Sequence, residues 1–208
     1  MRTIASVADL EALYGEPAAA STVNVSDHLT DEYRALLAAS PFCALATVGS
    51  EGLDCSPRGD APGNGLSGLL RVVDDKTLMI PDRRGNNRID SLRNIVRDPR
   101  VALLFLIPGS GTTLRINGTA FVTDDAELLE SFAVNGQSPR SVVVVTIKEI
   151  YFQCARAVVR ADLWNSEKHV AHGSLPTPGD VLAAQSAGTV GGKPYDEEWP
   201  ERAAKTLW

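Results

Sequence analysis

The chain is poor in cysteine and histidine, has no surplus of positive charge and contains no long apolar run. Cys43, Cys55 and Cys154 are an odd number with no close pair, which argues against a disulfide framework and fits a reducing compartment. Twenty Lys and Arg stand against 26 Asp and Glu, a formal net charge of -6. A generic nucleic-acid binder would carry the opposite balance, because it must track phosphates, so no nucleic-acid partner is expected. No stretch approaches the roughly 18 apolar residues of a membrane helix. The start MRTIASVADLEALYGEPAAA lacks the apolar segment of an export signal, so neither a membrane nor export is expected and the chain reads as cytoplasmic. His28, His169 and His172 are far apart or in a polar tail, without triad or metal-ligand spacing, which leaves them structural or solvent-facing roles. No strand leads into GxGxxG or GxxxxGK[ST], no paired metal-ligand motif occurs, and no repeat is evident. A doubly wound nucleotide-binding fold is thereby disfavoured, and no metal site is expected.

What is present suffices for one domain. The 208 residues, 44% of them hydrophobic, can fill a single core and leave room for a terminal appendage, with no need of disulfides or metal. Residues 1–39 read as a helical flank in two pieces, one begun by Ser6 and one over Asp27 to Ala39, with a break at Gly15 and Pro17. Strands are predicted at Phe42 to Val48, from Leu53 to Ser56, at Leu69 to Val73, Thr77 to Ile80 and Val101 to Ile107. Between Gly52 and Gly68 the density of Gly, Pro, Asp and Asn, including Pro57, Gly59, Pro62, Gly63 and Gly65, predicts a long irregular connection. A compact domain rarely keeps such a loop without a use for it. A helix is predicted over Asn87 to Arg97. Thr112 to Ile116 and Thr119 to Val122 flank Asn117-Gly118, the strongest short-range hairpin signal in the chain. Asp124 to Phe132 reads as a short helix, Ser141 to Tyr151 as a strand that only loosely fits a core pattern, and Asp180 to Gln185 as a helix in an irregular C-terminal extension, 165–208. The sum is a mainly β domain with short flanking helices, a closed or partly closed antiparallel barrel with its core at about 40–160.

Two segments carry the chemistry. Pro81-Asp82-Arg83-Arg84-Gly85-Asn86-Asn87-Arg88 stands between a strand and a helix, with Arg93 further along. Forked guanidinium groups, amides and unpaired backbone donors at that junction suit a phosphate, although a charged turn pairing with surface carboxylates would use the same residues. The second segment is Cys55-Ser56-Pro57-Arg58-Gly59-Asp60. It offers a hydroxyl, a guanidinium and an opened backbone to a polar ligand over a sheet, or else a hairpin end in which Arg58 pairs with Asp54 or Asp60. The cysteines read chiefly as small buried residues, and Trp164, Trp199 and Trp208 as apolar caps.

The run PFCALATVGSEGLDCSPRGD, then TLMIPDRRGNNRIDSLRNI, RVALLFLIPG, TLRINGTA and EIYFQCARAVVRADLW, resembles the pyridoxamine 5'-phosphate oxidase-related, FMN-binding split-barrel family, in particular a subgroup carrying PRG and RRGNNR. The resemblance implies a six-stranded antiparallel split β-barrel and a homodimer with FMN sites at its interface. By position it places Ser56, Pro57, Arg58 and Gly59 along the isoalloxazine edge, and Pro81, Asp82, Arg83, Asn86, Asn87 and Arg88 around the phosphate and ribityl chain. Arg88 and Asn87 come first for phosphate, and Arg93 adds charge or anchors the helix. Gln137, Ser138, Pro139 and Arg140 would approach from the facing subunit, and Gln153 with Trp164 would form a pocket wall. The Ser-Arg-Lys type clamp of the vitamin B6 oxidases is replaced by Gly85-Asn86-Asn87, and no C-terminal substrate-holding Trp and Arg arrangement is recognisable from Arg202 to Trp208. FMN binding is therefore better supported than vitamin B6 oxidation. The expected function is an FMN-dependent oxidoreductase acting on a small or cofactor-like substrate, with hydride passing through flavin N5. The alternatives are an FMN-binding protein that stores the flavin or senses redox state, and a deazaflavin or haem binder on a similar barrel.

Overall fold

A computed structural model describes residues 1–61 and 68–208. One antiparallel sheet dominates it, built from β1 (Phe42–Gly49), β2 (Gly52–Gly59), β3 (Arg71–Val72), β4 (Thr77–Pro81), β5 (Arg100–Leu106), β6 (Thr113–Thr123) and β7 (Val142–Gln153). Its spatial order is β2-β1-β5-β6-β7-β4-β3. Instead of the six strands expected, the sheet has seven among the described residues and stays open, with β2 and β3 as its edges. The two-residue β3, inside the strand expected at Leu69 to Val73, extends the edge at β4 through Arg71 opposite Met79. Curling brings the inner faces of distant strands into one core, where Leu45 of β1, Leu78 of β4, Phe105 of β5, Ile116 of β6 and Val145 of β7 are buried together.

The helices are short: α1 (Val7–Tyr14), α2 (Asp31–Ala38), α3 (Asp90–Arg97), α4 (Ala126–Ser131), α5 (Arg156–Arg160), α6 (Pro178–Gln185), α7 (Gly192–Glu197) and α8 (Trp199–Thr206). Leu37 of α2 and Ile95 of α3 join the core, whereas α1 buries nothing. Ser6 caps α1, and Thr30 caps α2 by accepting from the Tyr33 backbone, so α2 starts later than the apolar spacing from Asp27 suggests. Among the described residues, no helix is long and apolar enough to cross a membrane.

Several sequence expectations are corrected. Gly52 to Gly59 is a full strand, paired with β1 from Gly49 opposite Gly52 to Phe42 opposite Gly59. An edge strand tolerates Pro57, because one row of its backbone groups faces outward. The rest of the expected loop, at 62–67, lies outside the described residues. Asn117-Gly118 makes no hairpin turn: β6 runs straight through it, and the register with β7 jumps so that Asn117 faces Glu149 while Gly118 faces Ile147. Lys148 is thus an extra residue on β7, a bulge. A Cβ on residue 118 would stand 2.2 Å from the Thr146 carbonyl oxygen, so the glycine serves close backbone approach.

The Val142–Val145 run lacks alternation because both faces of β7 are covered there. Val143 and Val145 face the main core, while Val142 and Val144 pack with Phe132 after α4. The chain turns into α5 soon after Gln153. In the C-terminal extension, α6 has a capping box between Thr177 and Asp180. Asp196 of α7 accepts from Thr177 Oγ1 at 2.6 Å and from the Gly179 backbone at 2.9 Å. The sequence reading missed α7 and α8, since Gly191, Gly192 and Pro200 resemble breaks. In the fold these glycines take positive φ at the N-cap and first residue of α7, and Pro200 sits in the first turn of α8, where a proline costs no hydrogen bond.

Candidate functional site

At one end of the sheet the outgoing ends of β2 and β4 meet the incoming end of β7. β2 carries Asp54, Ser56 and Arg58 on its more protected face by simple alternation. β4 ends at Pro81, and the Asp82 backbone donates to the Ser141 carbonyl at 2.9 Å, which fixes where the next segment leaves the sheet. That segment does not enter a helix at Asn87. Asn87 takes φ 63 and the Arg88 backbone donates to Asn86 Oδ1 at 3.0 Å, an Asx turn that delays α3 until Asp90.

The result is a cavity of about 330 Å³, walled by Pro57–Asp60, Ile80–Ile89, Leu69, Leu92, Arg140 and Ser141. Five arginines line it against two aspartates. They are not equivalent. Arg83 is a brace: its Nε donates to Asp60 Oδ2 at 3.1 Å, a guanidinium N–H donates to the Phe132 carbonyl at 2.9 Å, and the group lies 5.3 Å from the Trp208 ring. Arg58 donates to Ser56 Oγ at 3.0 Å and to the Pro57 carbonyl at 2.9 Å, pairing with neither Asp54 nor Asp60. Arg140 donates to Asn87 Oδ1 at 2.9 Å. Arg88 ion-pairs with Asp90 at 2.6 Å, with its side chain 79% exposed. Arg84 is exposed and makes no hydrogen bond or ion pair among the described residues.

Burial pushes the Asp82 carboxyl above its ordinary range, and the Arg58 and Arg140 guanidinium groups only partly oppose this. The Cys43 thiol, opposite Arg58 across β1 and β2, is pushed up to about 12 by burial, which makes it an inert core group. Cys55 and Cys154 are exposed, contrary to the buried role expected of them.

The fold brings together Pro57, Arg58, Gly59, Pro81, Asp82, Arg83, Asn86, Asn87, Arg88 and Arg140 on this cavity. Ser56 stands behind Arg58 rather than on the wall. Arg93 lies elsewhere, in an open groove between α3 and the β1–β2 turn. Gln153 sits opposite Thr113 at the far end of β7, roughly 36 Å of strand from Val142 at about 3.3 Å per residue. Trp164 bonds the Ser110 carbonyl through its indole at 2.7 Å, and neither residue walls the cavity. Arg140, expected from a facing subunit, lines the cavity of its own chain. With Arg84, Gln137, Ser138 and Trp208 it also borders an adjoining cavity of about 290 Å³. The sequence reading missed Trp208, whose buried indole Nε1 has no hydrogen-bond partner among the described residues, Ser91, which bonds Ser56 behind Arg58, and the bracing of Arg83 by Asp60. Each rests on contacts distant in sequence, so no local pattern marks them.

Residues 29–154, more than half of the chain, match the family described as Pyridoxamine 5'-phosphate oxidase. The chain belongs to the pyridoxamine 5'-phosphate oxidase family. No curated protein matches it. Similar solved structures include HupZ of Group A Streptococcus, 20% identical with a TM-score of 0.48, covering 61% of this chain and 94% of that one. A candidate pyridoxamine 5'-phosphate oxidase from Lactobacillus delbrueckii is 25% identical with a TM-score of 0.47, covering 61% and 95%. An F420 reductase is 17% identical with a TM-score of 0.42, covering 60% and 98%. The pyridoxamine 5'-phosphate oxidase family is of flavin-binding, oxidoreductase type, and its split barrel is the architecture described above. The family match takes in every arginine of the cavity and ends before α5, so Trp208 approaches from outside the matched region.

Proposed function

We propose that this protein binds FMN in the cavity between β2, β4 and the start of β7, and acts as an FMN-dependent oxidoreductase on a small substrate. The observation that carries this reading is the excess of five arginines over two aspartates around a cavity of about 330 Å³, within the size range of cofactor sites. The donor set fits a phosphate-bearing flavin. Among the described residues Arg84 is unengaged, the Arg88 guanidinium is held only by an exposed ion pair, and Arg140 flanks the Asn86-Asn87 turn, so all three can turn toward a phosphate. Asn86 and Asn87 suit the ribityl hydroxyls. Pro57 and Gly59 leave a low wall on the β2 side for a flat ring, and Arg58 holds negative charge there. Bound FMN would supply hydride transfer at N5. A homodimer would complete the site, and the exposed Leu104 and Phe121 of β5 and β6 offer it apolar surface.

The test is a pair of titrations with Arg88→Ala and Arg140→Ala. Each variant should bind FMN roughly 10- to 100-fold more weakly, the loss of a charge-assisted hydrogen bond, with riboflavin affinity little changed. Equal losses for both flavins would overturn the phosphate assignment. Anaerobic mixing of the FMN-loaded protein with reduced nicotinamide, deazaflavin and pyridoxine-phosphate donors, followed at the flavin absorption band, tests catalysis. Bleaching and repeated turnover are expected, and failure with every donor would point to storage.

A further inference from the structure

Arg58 is tied to a carboxylate it cannot reach directly. Asp54 and Arg58 are four residues apart along β2, roughly 13 Å of strand, yet a chain of hydroxyls joins them. An Arg58 guanidinium N–H donates to Ser56 Oγ at 3.0 Å, Ser56 Oγ lies 2.7 Å from Ser91 Oγ on α3, and Ser91 Oγ donates to Asp54 Oδ2 at 2.9 Å. Each serine has one proton. Because Ser91 gives its proton to Asp54, Ser56 must donate to Ser91, and its oxygen is then free to accept from Arg58. Every donor therefore points from the guanidinium toward the carboxylate, an arrangement in which each bond polarises the next.

The surroundings hold this direction in place. Ser91 is 4% exposed, so water does not compete for its hydroxyl. Thr47 Oγ1 also approaches Asp54 Oδ2, at 3.5 Å, and itself accepts from Asn94 Nδ2 at 3.1 Å. Asp54 borders the open groove beside α3, while Arg58 lines the arginine-rich cavity. The chain of bonds thus runs through the seam between α3 and β2, from one cavity to the other.

We infer that Asp54 is a positioning residue for the arginine-rich cavity, aiming the Arg58 guanidinium through Ser91 and Ser56. Its importance for cofactor binding rests on the FMN reading, but the aiming of Arg58 does not. A fastening of α3 to the sheet alone would leave Arg58 unaffected, whereas a positioning chain fixes Arg58 before any ligand arrives and reduces the ordering cost of binding.

Two measurements test this. In the ligand-free protein, nitrogen-15 NMR of arginine side chains should show a slowed, ordered Arg58 guanidinium that becomes mobile in Ser91→Ala and Asp54→Asn and recovers in Ser91→Thr. An Arg58 signal unchanged in Ser91→Ala overturns the inference whatever the protein binds. In FMN titrations, Ser91→Ala should raise Kd about 3- to 10-fold and have no further effect in an Arg58→Gln background. Independent, multiplicative losses in the double variant would also overturn it. Wild-type protein that takes up no FMN would overturn the cofactor reading alone, with the NMR signal still deciding the role of Asp54.

Discussion

Asp82 places a carboxyl in a site otherwise crowded with guanidinium groups, and burial raises its pKa more than Arg58 and Arg140 lower it. A carboxyl whose folded-state pKa is raised favours the folded state while protonated, and that advantage is lost as pH rises through the raised value. Asp82→Asn should therefore increase Tm of the ligand-free protein at neutral pH, with the difference shrinking as the solution is acidified. A difference independent of pH would contradict this. Asp98 has the opposite sign: Arg100 pulls it down to about 2, so its support is present above the ordinary carboxylate range and lost as pH falls toward that value. The arginines divide in a comparable way. Arg83→Ala leaves the half-buried Asp60 unpaired and should cost about 1–3 kcal/mol of stability, whereas Arg84→Ala should leave thermal unfolding nearly unchanged and act only on ligand binding. The RRGNNR segment was legible in the sequence as a cationic junction. Which arginine braces and which is free was not, because Arg83 is held by Asp60 and Phe132, far along the chain in both directions.

At the scale of elements, the instructive failure is Asn117-Gly118. A dipeptide with these preferences satisfies a tight turn locally, but here β5 and β7 pair with the same strand on its two sides, and continuous pairing wins over the turn. The glycine is needed because β7 bulges against it. Gly118→Ala should accordingly destabilise the fold by about 1–3 kcal/mol, a fall in Tm of roughly 2–10 °C. A substitution without effect would show that the close approach to Thr146 is not maintained. The strand at β1 was legible because a nearly continuous apolar run, Phe42 to Val48, stands between Ser40-Pro41 and the turn residues Gly49 to Gly52. β2 was half-hidden, since an edge strand is free to carry the Pro and Gly that elsewhere signal a loop. The start of α3 was misplaced because Asn87 adopts a left-handed conformation, a preference asparagine shares with turns and that apolar spacing does not register.

For the whole molecule, the open curled sheet explains how a chain with net charge -6 holds a positive cavity. The sheet ends gather arginines from β2, the segment after β4 and Arg140 two residues before β7, while the acidic excess is spread elsewhere. Motif order sufficed to recognise the family and its barrel, because those motifs lie on consecutive strands. Of the C-terminal helices α6 was legible but α7 and α8 were not, and neither was the approach of Trp208 to Arg83, a contact between opposite parts of the chain. The most direct measurement is a competition between FMN and riboflavin for the purified, cofactor-stripped protein, followed by flavin fluorescence. If the arginine-rich cavity holds the flavin by its phosphate, FMN should bind at least about 10-fold more tightly, one charge-assisted contact or more, and the preference should shrink as salt is raised. Equal affinity for the two flavins, or no binding of either, would contradict it.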